Sequence, residues 1–131
     1  MKEIIIDEFQ DAVHDSLIRH RSILDIITKL SESNSRINRA VAKAATNHGC
    51  IKVVATKQNI PEDASLDNIT EFLSYQIEGK LCDNCREILE TEIGNNIYYL
   101  AALCNAMELN LFDIIIRQNE KIETLGKFSM L

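Results

Sequence analysis

The chain has 131 residues, 46% of them apolar, and a formal net charge of −6. That length suits one ordinary domain, able to bury a core without a disulfide or a metal to hold it. The acidic balance argues against a duplex nucleic acid partner, which needs a basic stripe to displace counterions; it leaves open a nucleotide held through a divalent metal.

The start, Met1 to Asp7, has too short an apolar run for a signal peptide and turns acidic at once. No stretch reaches the roughly 18 apolar residues of a membrane span. The expectation is a cytoplasmic protein with no membrane partner. Four cysteines, Cys50, Cys82, Cys85 and Cys104, in a reducing compartment read as thiols or metal ligands rather than structural disulfides.

One proline and four glycines leave few breakers, so long helices are expected. Ile6, Phe9, Val13, Leu17, Leu24 and Ile27 recur at helical spacing, with His20 in the remaining slot. They predict a first helix from about Asp7 to Leu30. The polar stretch Ser31 to Ser35 reads either as a turn or as polar residues on a continuing helix. Ile37, Val41, Ala44 and Ala45 mark a small-residue helix ending near Asn47-His48-Gly49, where Gly49 suits a C-terminus. Ile51 to Lys57 is β-branched and short, a strand or an extended connection. Pro61 marks a loop, and Ser65 is a candidate N-cap for a helix carrying Leu66, Ile69, Phe72 and Leu73. The clearest helix is Asp83 to about Met107, with Leu89, Ile93, Leu100, Cys104 and Met107 in one stripe. Asn110 caps a last helix from Leu111 to about Glu123, and a loosely held tail is expected after Gly126. The sum is an all-α fold, a bundle of four or five helices making one domain over residues 1–131.

The most specific stretch is Glu92-Ile93-Gly94-Asn95-Asn96-Ile97-Tyr98-Tyr99-Leu100, continuing through Asn110-Leu111-Phe112-Asp113-Ile114. It resembles the helix of MazG-like nucleotide pyrophosphohydrolases that reads Glu-Leu-Gly-Asp, aliphatics, an aromatic pair and Leu. Upstream, Lys29-Leu30-Ser31-Glu32-Ser33-Asn34-Ser35-Arg36-Ile37 stands where that family has Lys-Leu-x-Glu-Glu-x-Gly-Glu-Leu. The resemblance implies an all-helical fold, a homodimer, and Mg²⁺-dependent hydrolysis of a nucleoside triphosphate to monophosphate and pyrophosphate. Carboxylates at i, i+3 or i, i+4 share one helix face, and two such faces make an oxygen-rich pocket for Mg²⁺.

The chain departs from that pattern at the acids. Glu92 and Glu32 match, but Asn95 replaces an aspartate, Ser33 stands at the second acid of the first motif and Arg36 at the third. A fixed cation beside Mg²⁺ repels it. On the resemblance, Glu92 and Glu32 are the catalytic candidates and Mg²⁺ ligands, with Asn95 a neutral ligand. Glu87 and Glu90 are nearby acids set off the best face. Arg36, free to pair with a phosphate or with Glu92, shares a positive stripe with Arg39 and Lys43, and Arg36 and Lys43 are the phosphate-binding candidates. Tyr98 and Tyr99 point in different directions on a helix, so at most one stacks on a base.

Cys82-Asp83-Asn84-Cys85 is a Cys-x-x-Cys pair at a helix start, and His48-Gly49-Cys50 precedes it in a loop. Helix N-termini favour thiolate, the form that binds metal or reacts. Three readings stay open: small apolar residues, a zinc site on His48, Cys50, Cys82 and Cys85, or a dithiol switch. Two function classes follow. One is a pyrophosphohydrolase of weakened acidity. The other is an inactive relative that binds a nucleotide or partner, with zinc or thiols at Cys50, Cys82 and Cys85.

Overall fold

The structure is a computed structural model that describes residues 1–126. The tail expected to be loosely held after Gly126 lies outside the described residues. Helices α1 (Lys2–Ser16), α2 (Ile23–Lys43), α3 (Asp83–Ala106) and α4 (Leu111–Leu125) carry most of it. Between α2 and α3 run a π-turn at Ala44–His48, strand β1 (Ile51–Val53), a 3-10 turn at Ile69–Phe72 and strand β2 (Ile77–Gly79). The strands pair antiparallel, with Ile51 opposite Gly79 and Val53 opposite Ile77. The fold is therefore mostly helical as expected, but a two-stranded sheet is added to it.

The helix expected over Asp7 to Leu30 is two helices. Leu17 turns extended at the end of α1, His20 takes a left-handed φ of 57°, and Ser22 caps α2 by accepting from the Asp25 N–H at 3.2 Å. Arg21 closes the end of α1, donating to the carbonyls of His14 at 2.9 Å and Leu17 at 2.7 Å, which would otherwise lack partners. His20 is accordingly an exposed turn residue, not part of an apolar stripe. The stretch Ser31 to Ser35 does not turn; α2 runs through it.

Gly49 ends the π-turn in the left-handed region at φ 70°, a backbone that a side chain would strain. Ser65 caps no long helix. Its N–H and hydroxyl both engage the Asn68 side chain, and only one 3-10 turn follows. Asn110 does cap α4, accepting from the Asp113 N–H at 2.9 Å.

The main core joins Val13 and Leu17 to Ile26 of α2 and to Ala101 and Ala102 of α3, with Phe9, Tyr98, Leu103 and Leu111 packed around it. Burying Ile26 and Val13 contributes about 1.5–3 kcal/mol each. The stripe expected on α3 is met in part. Cys104 is buried, but the seam is made by the two alanines, whose small size lets the helices approach closely, while Ile93, Leu100 and Met107 stay exposed. A smaller core of Ala44, Ile51 and Cys85 sits under the hairpin.

Buried Gln10 links α1 to the α3–α4 corner. Its Nε2 donates to Asn105 Oδ1 and to the Leu109 carbonyl, and its Oε1 accepts from the Leu111 N–H at 2.8 Å. The corner is thus fixed by one amide satisfied on both sides. Among the described residues, no single helix is long and apolar enough to cross a membrane.

Candidate functional site

Helices α2 and α3 pack on each other more extensively than any other pair. Asn96 Nδ2 of α3 donates to Asn34 Oδ1 of α2 at 2.6 Å, holding them in register. On one side of this tie the helices diverge around a cavity of about 400 Å³, walled by Lys29, Glu32, Ser33 and Arg36 of α2 and by Asn95, Tyr98 and Tyr99 of α3. A second cavity of about 420 Å³ is walled by Arg36, Arg39, Lys43, Asn47 and His48 with Ile88 and Glu92. Arg36 lines both, so the two cavities adjoin along the α2–α3 groove.

The two sequence stretches that carry the family resemblance therefore face each other. Glu32, Arg36 and Asn95 meet around the first cavity; Glu92, Arg36 and Lys43 meet around the second. Glu92 and Asn95 share one face of α3, as their i, i+3 spacing requires, but open onto different halves of the groove. Glu87 shares a side cavity with Glu92, and Glu90 is exposed.

Charge decides what these acids can do. Arg36 donates from Nε and Nη2 to Glu32 Oε1, and Lys29 approaches Glu32 Oε2 at 3.6 Å. The Arg36 hydrogen bonds, then the Lys29 charge, hold the Glu32 carboxyl below its ordinary value of 4.5. Arg36 thus pairs with Glu32, its neighbour one turn away, rather than with Glu92. Glu92 is half-buried, and its Oε2 is buried with no hydrogen-bond partner. A buried carboxylate oxygen without a partner is costly. Ser33 is buried at 4% exposure at the wall of the first cavity, with its Oγ likewise unpartnered.

The aromatic pair divides as adjacent helix positions must. Tyr98 packs against the core and shares a 2.8 Å hydrogen bond with Ser16. Tyr99 meets the Tyr98 ring edge-on, centroids 5.3 Å apart, and is the one left without such a tether at the cavity wall. Lys29 is a groove residue that sequence reasoning missed, as is the Ser16 tether of Tyr98 beside it. Lys29 carries a signal in hindsight, standing three residues before Glu32 on the same helix face.

The cysteine cluster lies at the far end. Cys82 is the N-cap of α3, accepting through Sγ from the Cys85 N–H at 3.4 Å. The ligand atoms of His48, Cys82 and Cys85 all lie within 4.8 Å of one another, a group that could hold a metal ion. The Cys50 thiol donates to the Ala44 carbonyl at 3.6 Å and is near enough to Cys82 and Cys85 to shift both, while standing outside the group of three within 4.8 Å. Burial first, then the neighbouring thiols of Cys82 and Cys50, push Cys85 up to about 12. The Cys85 backbone N–H lowers Cys82. Cys104 is buried far along α3, apart from this cluster. No family model, curated protein or solved structure matches the chain.

Proposed function

We propose that this chain is a MazG-like nucleoside triphosphate pyrophosphohydrolase of reduced acidity, with the triphosphate lying in the α2–α3 groove. One observation carries the reading. Glu92 lines a cavity that Arg36, Arg39 and Lys43 also line, and one oxygen of its carboxylate is buried with no hydrogen-bond partner. Three cations there favour a polyanion, and an idle carboxylate favours the cation that accompanies it.

The donors present do not make an all-protein Mg²⁺ cage. They fit an ion that shares its coordination with phosphate oxygens, as Mg²⁺ commonly does. Glu92 and, through its amide oxygen, Asn95 would hold it, with Glu32 joining once freed from Arg36. When bound, such an ion offsets phosphate charge and sharpens a water for attack.

The chain's own residues do the rest. Arg36, Arg39 and Lys43 hold and neutralise the phosphates, and Tyr99 offers a face for the base. Arg36 is committed to Glu32 in the free protein, so a phosphate that draws Arg36 away also releases Glu32 to take a proton from water. Water attacks the α-phosphorus, the bond to the bridging oxygen of the β-phosphate breaks, and the products are a nucleoside monophosphate and pyrophosphate.

The functional unit in this reading is a homodimer. The isoleucines of α4 and the α3 stripe Ile93, Ile97 and Leu100 are exposed and call for a second copy. A second reading, binding without hydrolysis, is favoured by the grip of Arg36 and Lys29 on Glu32. A methylene-bridged nucleoside triphosphate with Mg²⁺, followed by amide NMR, tests both together. Saturable shifts along residues 29–43 and 92–99, weakened about tenfold by Arg36→Ala, support the groove as the nucleotide site. No shift with any nucleotide would remove it.

A further inference from the structure

The hairpin has a physical problem that the nucleotide reading does not solve. β1 and β2 are three residues each, and two strands that short are marginal alone. The chain between them, residues 54–76, adds only one 3-10 turn. Gly79 lies so close to the Cys50 carbonyl that an added Cβ would stand 2.5 Å from it, so the strand end and the start of β1 pass at close quarters.

The soft donors stand at that junction. His48 ends the π-turn, a helix distortion frequent at functional sites. Cys50 immediately precedes β1, and Cys82 and Cys85 open α3. His48 and Cys82 are exposed, which packing alone does not explain for a converging set. All four cysteines are free thiols, so no disulfide fastens the junction. A tetrahedral zinc with bonds of about 2.0–2.3 Å would set its donors roughly 3.5–3.8 Å apart. The observed mutual spacing of His48, Cys82 and Cys85, within 4.8 Å, needs only a small contraction.

We propose that Cys50, Cys82, Cys85 and His48 bind a structural zinc ion that fastens the β1–β2 hairpin to the start of α3. The donor set is three sulfurs and an imidazole, the chemistry of a closed structural site with no position left for substrate. Binding converts the three thiols to thiolates and releases their protons, and the ion offsets the repulsion those thiolates would otherwise feel. The site borders the groove, since His48 also lines the second cavity, but it stands whether or not a nucleotide is hydrolysed.

The test is metal analysis of the full chain, purified under reducing conditions without chelator, together with cobalt(II) titration of the metal-free protein. The expected result is stoichiometric zinc, a thiolate-to-cobalt charge-transfer band with tetrahedral ligand-field absorption, and loss of both in Cys82→Ser and His48→Ala. Cys104→Ser, remote from the cluster, should keep the metal. The wild-type cobalt titration does not depend on any variant folding. A folded, reduced wild-type chain that carries no zinc and gives no tetrahedral cobalt spectrum overturns the proposal. So does a spectrum that survives the Cys82 and Cys85 substitutions together. A reversible Cys82–Cys85 disulfide in a chain without metal affinity would assign the cluster to thiol exchange instead.

Discussion

Arg36 places two of its guanidinium nitrogens, Nε at 3.1 Å and Nη2 at 3.0 Å, on a single oxygen of Glu32. The acid that the family resemblance offers to Mg²⁺ is thus occupied by the residue that replaces its neighbouring acid. This pair sets the behaviour of the groove.

Glu32 should titrate below 4.5 in the free protein, because Arg36 and then Lys29 favour its charged form. A depressed folded value means that the pair's contribution is present above the unfolded value and lost as pH falls through the folded one. Both side chains are largely solvated, so the effect on stability is small. Carboxyl NMR should show Arg36→Ala moving the Glu32 titration upward. An unmoved titration would mean that the pair does not persist in solution.

On the proposed reading, adding acids to the groove should strengthen its hold on a divalent ion. Arg36→Glu with Asn95→Asp removes a cation and adds two carboxylates around the first cavity. Mn²⁺ affinity, read by paramagnetic resonance, should rise on the order of tenfold or more. Position 33 is a poorer third site, because Ser33 is buried and a larger, charged side chain there would have to be accommodated at the cavity wall.

Two glycines should respond in opposite directions to alanine. Gly79 sits at φ 85° with backbone 2.5 Å from the new Cβ, so Gly79→Ala should cost about 1–3 kcal/mol and loosen the hairpin. Gly94 lies within α3 and meets nothing within 4 Å. Gly94→Ala should stabilise by roughly 0.5–1 kcal/mol through helix propensity. Urea unfolding of both variants checks the signs.

Some of this architecture is legible in the residues and some is not, for physical reasons. Asn110, Gly49 and the Cys82–Cys85 pair mark helix ends by local chemistry, and all three stand where that chemistry puts them. The break at His20 is hidden because Leu17, Leu24 and Ile27 keep a helical period across it. The signal that outweighs the period is Ser22 with Asp25 three residues on, a capping pair. Strand β2 is unreadable alone, since three residues acquire meaning only by pairing with Ile51–Val53. The positive wall of the groove was half legible: Arg36, Arg39 and Lys43 follow from spacing, but the hold of Lys29 on Glu32 needed side-chain geometry.

The exposed surface predicts self-association. A chain of 14.9 kDa exposes 10098 Å² here, against roughly 7,000 Å² for a folded monomer of its mass. Ile93, Ile97 and Leu100 repeat at i, i+4 and i+7 on α3, each about two-fifths exposed, and Ile115 and Ile122 add an i, i+7 pair on α4. Sedimentation velocity should show a dimer that Ile97→Asp converts to monomer. A wild-type monomer at micromolar concentration would assign that face to a different partner.

The central claim is the chemistry of the groove, and pyrophosphate release tests it most directly. Canonical and modified nucleoside triphosphates would be offered with Mg²⁺ and with Mn²⁺, beside a Glu92→Gln control. The account predicts pyrophosphate and nucleoside monophosphate in equal amounts, lost in the control. A folded protein that releases none from any substrate, or a Glu92→Gln variant as active as the wild type, would contradict it.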